Sequence, residues 1–435
     1  MRNAKNRYER KTIMKTTNKL FALILAVVMT VSLAACAKQP AGTPTSNAQE
    51  PTVASDKKLD LATTEFENAS RFSEGLAWVT NLGSSTVIDK EGNIIYQSEF
   101  KVYDSCADFK DGVSWFQDNN DYSIIDKEGK ILYQTKSNTE EDFERILAYG
   151  DGNFLTLRHS TGFNKDEYSL GAIDKDGKET GAFQTVTPDD TNGILQSKWS
   201  YAGDGLFVNV DEVYKVYDVS AGTYIDHRQD KNQNWDFLNF RNSNDIKPTP
   251  QNGKMWILIS EDSPKGQYIA AFDLRSGEVG KKISFSLDEK GKASAAVFGT
   301  LCVCDGVYYD LSGEEIAKVD LYQGQVIDRG KFSEAGTAYL EIQDSNGDTY
   351  LTYVNKSGEQ LFDPMKITTG KFEAQNCIHG DQFAMTEKGS NTVIIYDSNG
   401  KEVHRIDNVD NANVRSVDAL DNDYAIIGGK YYFFQ

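Results

Sequence analysis

A chain of 435 residues has room for two or three average domains or for one large repeat array. With 22 Tyr, 22 Phe and 35 Gly but only 8 Pro, it is composed for many pleated strands and tight turns rather than for Pro-rich breaks between domains. The formal charge of -19 excludes a protein that tracks a phosphate backbone, which needs a basic stripe to displace counterions.

Residues 1–19 carry seven Lys or Arg and one acid, and an apolar run follows from Leu20 to Ala35, unbroken to Met29. That is the layout of a signal peptide, whether translation starts at Met1 or Met14. The run is shorter than the roughly 20 apolar residues that span a hydrocarbon core. It closes with Leu33, Ala34, Ala35 and Cys36, which resembles the lipobox of bacterial lipoprotein signal peptides. The resemblance implies cleavage before Cys36, acylation of its thiol, and an extracytoplasmic protein held to the cell membrane by its acyl chains. Without residues 1–35 the charge is -25. Residues 36–57 hold three prolines and no apolar periodicity, as in a flexible tether that keeps the folded part roughly 25 Å from the bilayer.

From residue 65 onward one unit recurs: an apolar strand, a second strand ending in Asp or Asn, a turn closing on Gly, and a third strand. The turns are Asp89 to Gly92, Asp126 to Gly129, Asp174 to Gly177, Asp218 to Gly222, Asp273 to Gly277, Asp310 to Gly313, Asn355 to Gly358 and Asp397 to Gly400. Their starts are 37 to 55 residues apart, the period of one small sheet. Asp or Asn at the first position caps a type I turn, and Gly takes the position where φ is positive. Preceding strands such as Gly75 to Val79 and Trp256 to Ser260 are apolar at consecutive positions, as expected of strands buried on both faces.

The stretch Phe72-Ser73-Glu74-Gly75-Leu76-Ala77 with Ile88-Asp89-Lys90-Glu91-Gly92 resembles the WG-repeat family. The unit around Phe109 to Trp115 and Ile125 to Gly129 follows the same pattern, and Ala172 to Gly177 keeps its second half; the Trp-Gly dipeptide itself is absent. The reading is an all-β chain whose residues 58–435 form a β-propeller of about eight blades, alternatively seven, built from β-meander repeats. Tyr424 to Phe434 adds two short strands without a turn marker, and Lys58 to Phe66 is placed to complete a ring sealed by the two termini.

Little chemistry is legible. His159, His227, His379 and His404 are scattered through different units and read as surface residues. Asp174 to Gly177 and Asp344 to Asp348 begin like calcium loops but do not continue as such, and read as hairpin turns. Cys302 and Cys304 lie on one face of a strand as small core residues, and a Cys106–Cys377 disulfide stays open. Trp78 and Trp115, at equivalent repeat positions, read as packing between blades. No catalytic residue, metal or cofactor is expected. Residues 226–253 lengthen one interval to 55 and read as an inserted loop, with Arg228, Asn234, Trp235, Asn239, Phe240 and Arg241 as candidate binding residues. The expected function is non-catalytic binding of an envelope protein or extracellular ligand. The alternative is a propeller enzyme acting on extracellular polysaccharide or peptide.

Overall fold

The computed structural model describes residues 58–434 except 82, 99–105, 119–120, 136–142, 163–164, 188–193, 195–197, 211–214, 228–235, 239–245, 263–264, 287–294, 319–325, 330–331, 334, 345, 368–376, 387–390 and 410–416. They belong to one compact unit, Pro51–Gln435. The leader, Cys36, the tether and all six candidate binding residues lie outside the described residues.

All named elements are strands, arranged in nine small sheets of three to five strands. The first sheet sets the pattern: Asn68–Ala69, Leu76–Asn81, Ser84–Asp89 and Ile94–Gln97 pair in chain order, each antiparallel to the next. Its Leu76–Asn81 strand shows why consecutive residues are apolar. Leu76 and Trp78 pack with Phe109, Phe116 and Ile125 of the second sheet, whereas Ala77 and Val79 pack with Ala419, Tyr424 and Ile426 of the ninth. Alternating side chains thus serve two neighbours, and both faces of the sheet are core.

The same arrangement recurs around the molecule. Separate apolar clusters join each sheet to the next, from the second with the third (Ile124, Phe154) to the eighth with the ninth (Ile395, Ile427). A further cluster joins the ninth to the first. This is a β-propeller-like architecture, with the core distributed between sheets rather than gathered in one centre.

Eight of the sheets carry the sequence markers, and each marker does what turn chemistry requires. In the second sheet Gly129 N donates to Asp126 O at 3.1 Å, while Asp126 Oδ1 accepts from the amides of Glu128 and Lys130 at 3.1 and 2.8 Å. The glycine has a second reason to be there. A Cβ on Gly129 would stand 2.3 Å from the carbonyl oxygen of Ile95, on the outer strand of the preceding sheet. At Gly92, in the first sheet, the atom met is the carbonyl oxygen of Leu59, at 2.1 Å. Leu59 therefore occupies the place that the outer strand of the preceding sheet holds elsewhere. Leu59 N donates to Gly92 O at 2.8 Å and Phe66 N to Gly429 O at 3.1 Å, so the segment 58–66 ties the first sheet to the ninth.

The ninth sheet, Ala419–Leu420, Tyr424–Ile427 and Lys430–Phe433, has the third strand that the sequence pattern lacked, and turns at Gly428 and Gly429 instead of a marker. Most sheets likewise have a short inner strand that the three-strand unit omitted.

The interval 226–253 differs from an inserted loop. Asp236–Leu238 is the inner strand of the fifth sheet, paired with Lys254–Asp262. Ile246–Pro248 crosses to the sixth sheet and pairs parallel with Ala295–Gly299, making that sheet five-stranded. Pro248 is tolerated because Ile246–Pro248 is an edge strand.

His159 and His227 are buried rather than at the surface: His159 stacks on Tyr168 with ring centroids 4.1 Å apart, and His227 Nε2 is 2.9 Å from Leu274 O. Cys106, Cys302, Cys304 and Cys377 are all free thiols, so Cys106 and Cys377 are not bridged. Cys302 and Cys304 are core residues between the fifth and sixth sheets, with sulfurs 3.5 Å apart. The contact with Cys304, together with burial, pushes the Cys302 thiol up. Trp78 is buried between the first two sheets and donates from Nε1 to Ser114 Oγ at 3.1 Å. Trp115 is half-buried against Tyr122.

Candidate functional site

In a four-stranded antiparallel meander such as the first sheet, the turn leading into the second strand and the marker turn joining the last two lie on the same face. On that face the inner hairpins carry Glu74, Asp111, Asp151 and Asp204 in the first four sheets, each with φ between 52 and 54°. Asp or Asn is the usual non-glycine residue in that left-handed region, so Glu74 is the unusual one. Its carboxylate binds the first sheet to the second, with Oε1 accepting from Asp111 N at 2.7 Å and Oε2 from Gly112 N at 2.9 Å.

The other acids of this face are used in a similar way. Tyr149 OH donates to Asp111 Oδ2 at 3.2 Å, and Tyr201 OH to Asp151 Oδ2 at 3.3 Å. Arg275, in the marker turn of the fifth sheet, reaches Asp218 Oδ2 with Nε at 2.7 Å; with Nη2 it donates to the backbone carbonyl of Asp204, not to its carboxylate, at 2.8 Å. Asp381 accepts from the hydroxyls of Ser333 and Thr337. Lys90 Nζ lies 2.6 Å from Asp423, returning the series to the first sheet.

These contacts bear on the titration of two of the acids, Glu74 and Asp218. Burial opposes ionisation of Glu74, but the Gly112 and Asp111 amides and Lys127 outweigh it and hold the carboxyl below its ordinary value. At Asp218 burial is likewise outweighed, by the Ser220 hydroxyl, Arg275 and the Ala221 amide. Carboxylates held this way remain ionised at neutral pH and act as hydrogen-bond acceptors between sheets.

The face changes at the junction of the fifth and sixth sheets. There the inner hairpin residue is Asn252, at φ 51°, and a cleft of about 400 Å³ opens. It is lined by Gln251, Asn252, Lys254, Thr300, Asp310 and Ser312, with Leu301 and Leu311. Its walls are fixed from behind. Gln251 and Lys254 exchange backbone hydrogen bonds at 2.9 and 3.0 Å, and Gly253 N donates to Ala202 O of the fourth sheet at 2.8 Å. Trp256, wholly buried, donates from Nε1 to Thr300 O at 2.9 Å. Asp310 Oδ1 accepts from Ser312 N at 2.8 Å and Ser312 Oγ at 2.5 Å. Burial notwithstanding, these bonds hold the Asp310 carboxyl low.

None of the cleft residues stands out in the sequence as a binding residue, although Asp310 is legible as a turn cap. They come from three turns of two units, and nothing in a turn signature says which turns converge. The six candidate residues lie outside the described residues; further along the chain, before Gln251, Ile246–Pro248 runs along the sixth sheet. Among the described residues no group of three or more His, Cys, Asp or Glu is arranged to hold a metal, and no helix is long and apolar enough to cross a membrane.

Small meander sheets packed successively on one another define a repeat β-propeller-like protein. The family profile described as WG containing repeat matches residues 61–83 and 86–122, which fall in the first two sheets. No curated protein sequence matches the chain. Among solved structures, one described as a eukaryotic initiation factor is 11% identical, with a TM-score of 0.38, covering 84% of this chain and 99% of the other. The Neurospora crassa Pan2 WD40 domain is 12% identical, with a TM-score of 0.28, covering 67% and 91%. A structure from a study of two prolyl endopeptidases is 15% identical, with a TM-score of 0.34, covering 78% and 54%.

Proposed function

We propose that this is a lipid-anchored extracytoplasmic protein whose propeller serves as a non-catalytic binding platform. The observation that carries the binding reading is the contrast on one face: a series of carboxylates committed to holding sheets together, interrupted at the fifth and sixth sheets by a cleft with fixed walls. Glu74 and Asp218 are held ionised by hydrogen bonds to their own turns and to neighbouring sheets, so neither is a ready proton donor near neutral pH. A preformed concave site with a few convergent polar groups suits a ligand or a projecting side chain of an envelope protein. In this reading Arg228, Asn234, Trp235, Asn239, Phe240 and Arg241 extend the contact surface beyond the cleft.

The anchor rests on the Leu33 to Cys36 motif and on the Pro-containing segment after it. Two acyl chains at Cys36 would hold the protein firmly, at about 0.8 kcal/mol per buried methylene. Cys36→Ser is expected to leave an uncleaved precursor or to shed protein from the membrane, and detergent partitioning of the mature protein measures it. Mature Cys36→Ser protein that still enters the detergent phase would exclude acylation at this residue. The binding role is tested separately, by capture of envelope components on the detergent-solubilised full chain, followed by capture with Trp235→Ala/Phe240→Ala.

A further inference from the structure

We propose that the cleft between the fifth and sixth sheets is a saccharide site that takes one or two neutral sugar rings. The inference rests on the binding reading above and names its ligand class.

The lining mixes donors with acceptors. Each sugar hydroxyl offers one donor and two acceptor lone pairs, so a site for a diol needs both kinds of partner close together. Among the residues bordering the cleft, Lys254 carries a donor, Asp310 an acceptor, Gln251 and Asn252 both, and Thr300 and Ser312 a hydroxyl each. The turn's own hydrogen bonds to Asp310 fall on Oδ1, which sets the geometry of the carboxylate before any ligand arrives. Leu301 and Leu311 give an apolar wall for the C–H face of a ring.

Charge selects among hydroxylated ligands. Lys254 would repel a cationic ligand, while Asp310 and the charge of -25 carried without residues 1–35 disfavour an anionic one. A neutral sugar avoids both costs. The volume, about 400 Å³, lies at the small end of the range of about 300–1,000 Å³ typical of ligand pockets, which limits occupancy to a short glycan segment or a chain end. The backbone of the cleft is also tied down by hydrogen bonds from behind. With Gly253 fixed to Ala202 and Thr300 to Trp256, little backbone order remains to be lost when a weakly held ligand binds.

Saturation-transfer NMR on the full chain in detergent tests this, with maltose, cellobiose and N,N′-diacetylchitobiose as neutral probes and galacturonate as the charged control. At least one neutral disaccharide should show saturable transfer that exceeds galacturonate. Asn252→Gly, which keeps the left-handed backbone, and Lys254→Met, which keeps most of the stem, should each weaken it about tenfold, as expected for loss of one or two ligand hydrogen bonds. Cooperative unfolding of both variants, with the midpoint shifted only slightly, would tie that loss to the cleft. The inference is overturned if none of the three neutral sugars binds, if galacturonate binds as well as they do, or if neither variant alters binding. A null result here, alongside successful capture of an envelope component, removes the sugar assignment and leaves the binding platform standing.

Discussion

The junction between the first two sheets and the junction between the fifth and sixth are built from the same unit and are finished differently. At the first, Trp78 is sealed between sheets, Glu74 binds two backbone amides of the next hairpin, and Gly129 lies against a backbone carbonyl. At the second, Trp256 plays the part of Trp78, donating to Thr300 O, but no acid occupies the place of Glu74. Gly313, the marker glycine there, faces the Lys281 side chain, 3.2 Å from where a Cβ would sit. A repeat protein can therefore keep its buried contacts in every unit and vary only the rim. Where the rim residues are no longer needed to join sheets, they are available to a ligand.

The most damaging change should be one that removes sheet contacts on two sides at once. Deleting Tyr424 to Gln435 takes away Tyr424, Ile426 and Tyr431 from the contact with the first sheet, and Ala425 and Ile427 from the contact with the eighth. At about 1.5–3 kcal/mol for each large buried side chain the loss is on the order of 8 kcal/mol, comparable with the whole stability of many proteins. The truncated chain should show no cooperative unfolding transition, or one lowered by tens of degrees. A truncation that melts like the full chain would mean that the ninth sheet does not support its neighbours.

A pair of glycine substitutions sharpens the contrast between the junctions. Gly129 and Gly313 have nearly equal φ, 82 and 80°, so replacement by Ala brings the same backbone strain of roughly 1–3 kcal/mol to each. They differ in what a Cβ meets: a backbone carbonyl at 2.3 Å for Gly129, and a flexible lysine side chain at 3.2 Å for Gly313. Gly129→Ala should cost about 1–2 kcal/mol more than Gly313→Ala in chemical denaturation. Equal costs would show that turn strain accounts for both glycines and that the rim is as tight at one junction as at the other.

What is legible in the sequence follows from how each feature is encoded. The marker turns are local: Asp126 bonds to amides two and four residues on, so residue type and spacing carry the information. The two-sided strands are local as well, as Leu76 to Val79 shows. The inner strands are not, because Asn68–Ala69 and Ile378–His379 have two residues each and owe their pairing to a neighbouring strand. The crossing of Ile246–Pro248 into the sixth sheet is a tertiary choice, and its parallel pairing has no hairpin to announce it. An interval of 55 residues therefore reads as an insertion when only the sequence is considered. The cleft is hidden for the same reason, since Asn252 and Ser312 are ordinary turn residues until two units are set side by side.

The smallest expected effect concerns acid, and it separates the two rims by chemistry rather than by packing. Glu74 is held below the ordinary glutamate value of 4.5 because, against burial, two backbone amides and Lys127 favour its ionised form. A carboxyl with a lowered folded pKa stabilises the native state fully above its unfolded pKa. That contribution is lost as pH falls through the folded value, because the unfolded chain then binds the proton more readily. Glu74→Gln should lower the unfolding midpoint at pH 7, and its effect should diminish as pH falls below the ordinary glutamate value and through the lowered folded one, where the wild-type side chain takes up its proton. The side chain is 32% exposed, so solvent limits the difference to about 1 kcal/mol or less. Asn252 has no group that titrates between these pH values, so Asn252→Gly should shift the midpoint by the same small amount at about pH 7 and about pH 4. Equal pH dependence for the two substitutions would show that Glu74 does not bind the first sheet to the second as a carboxylate, and would remove the distinction between a rim that joins sheets and a rim that receives a ligand.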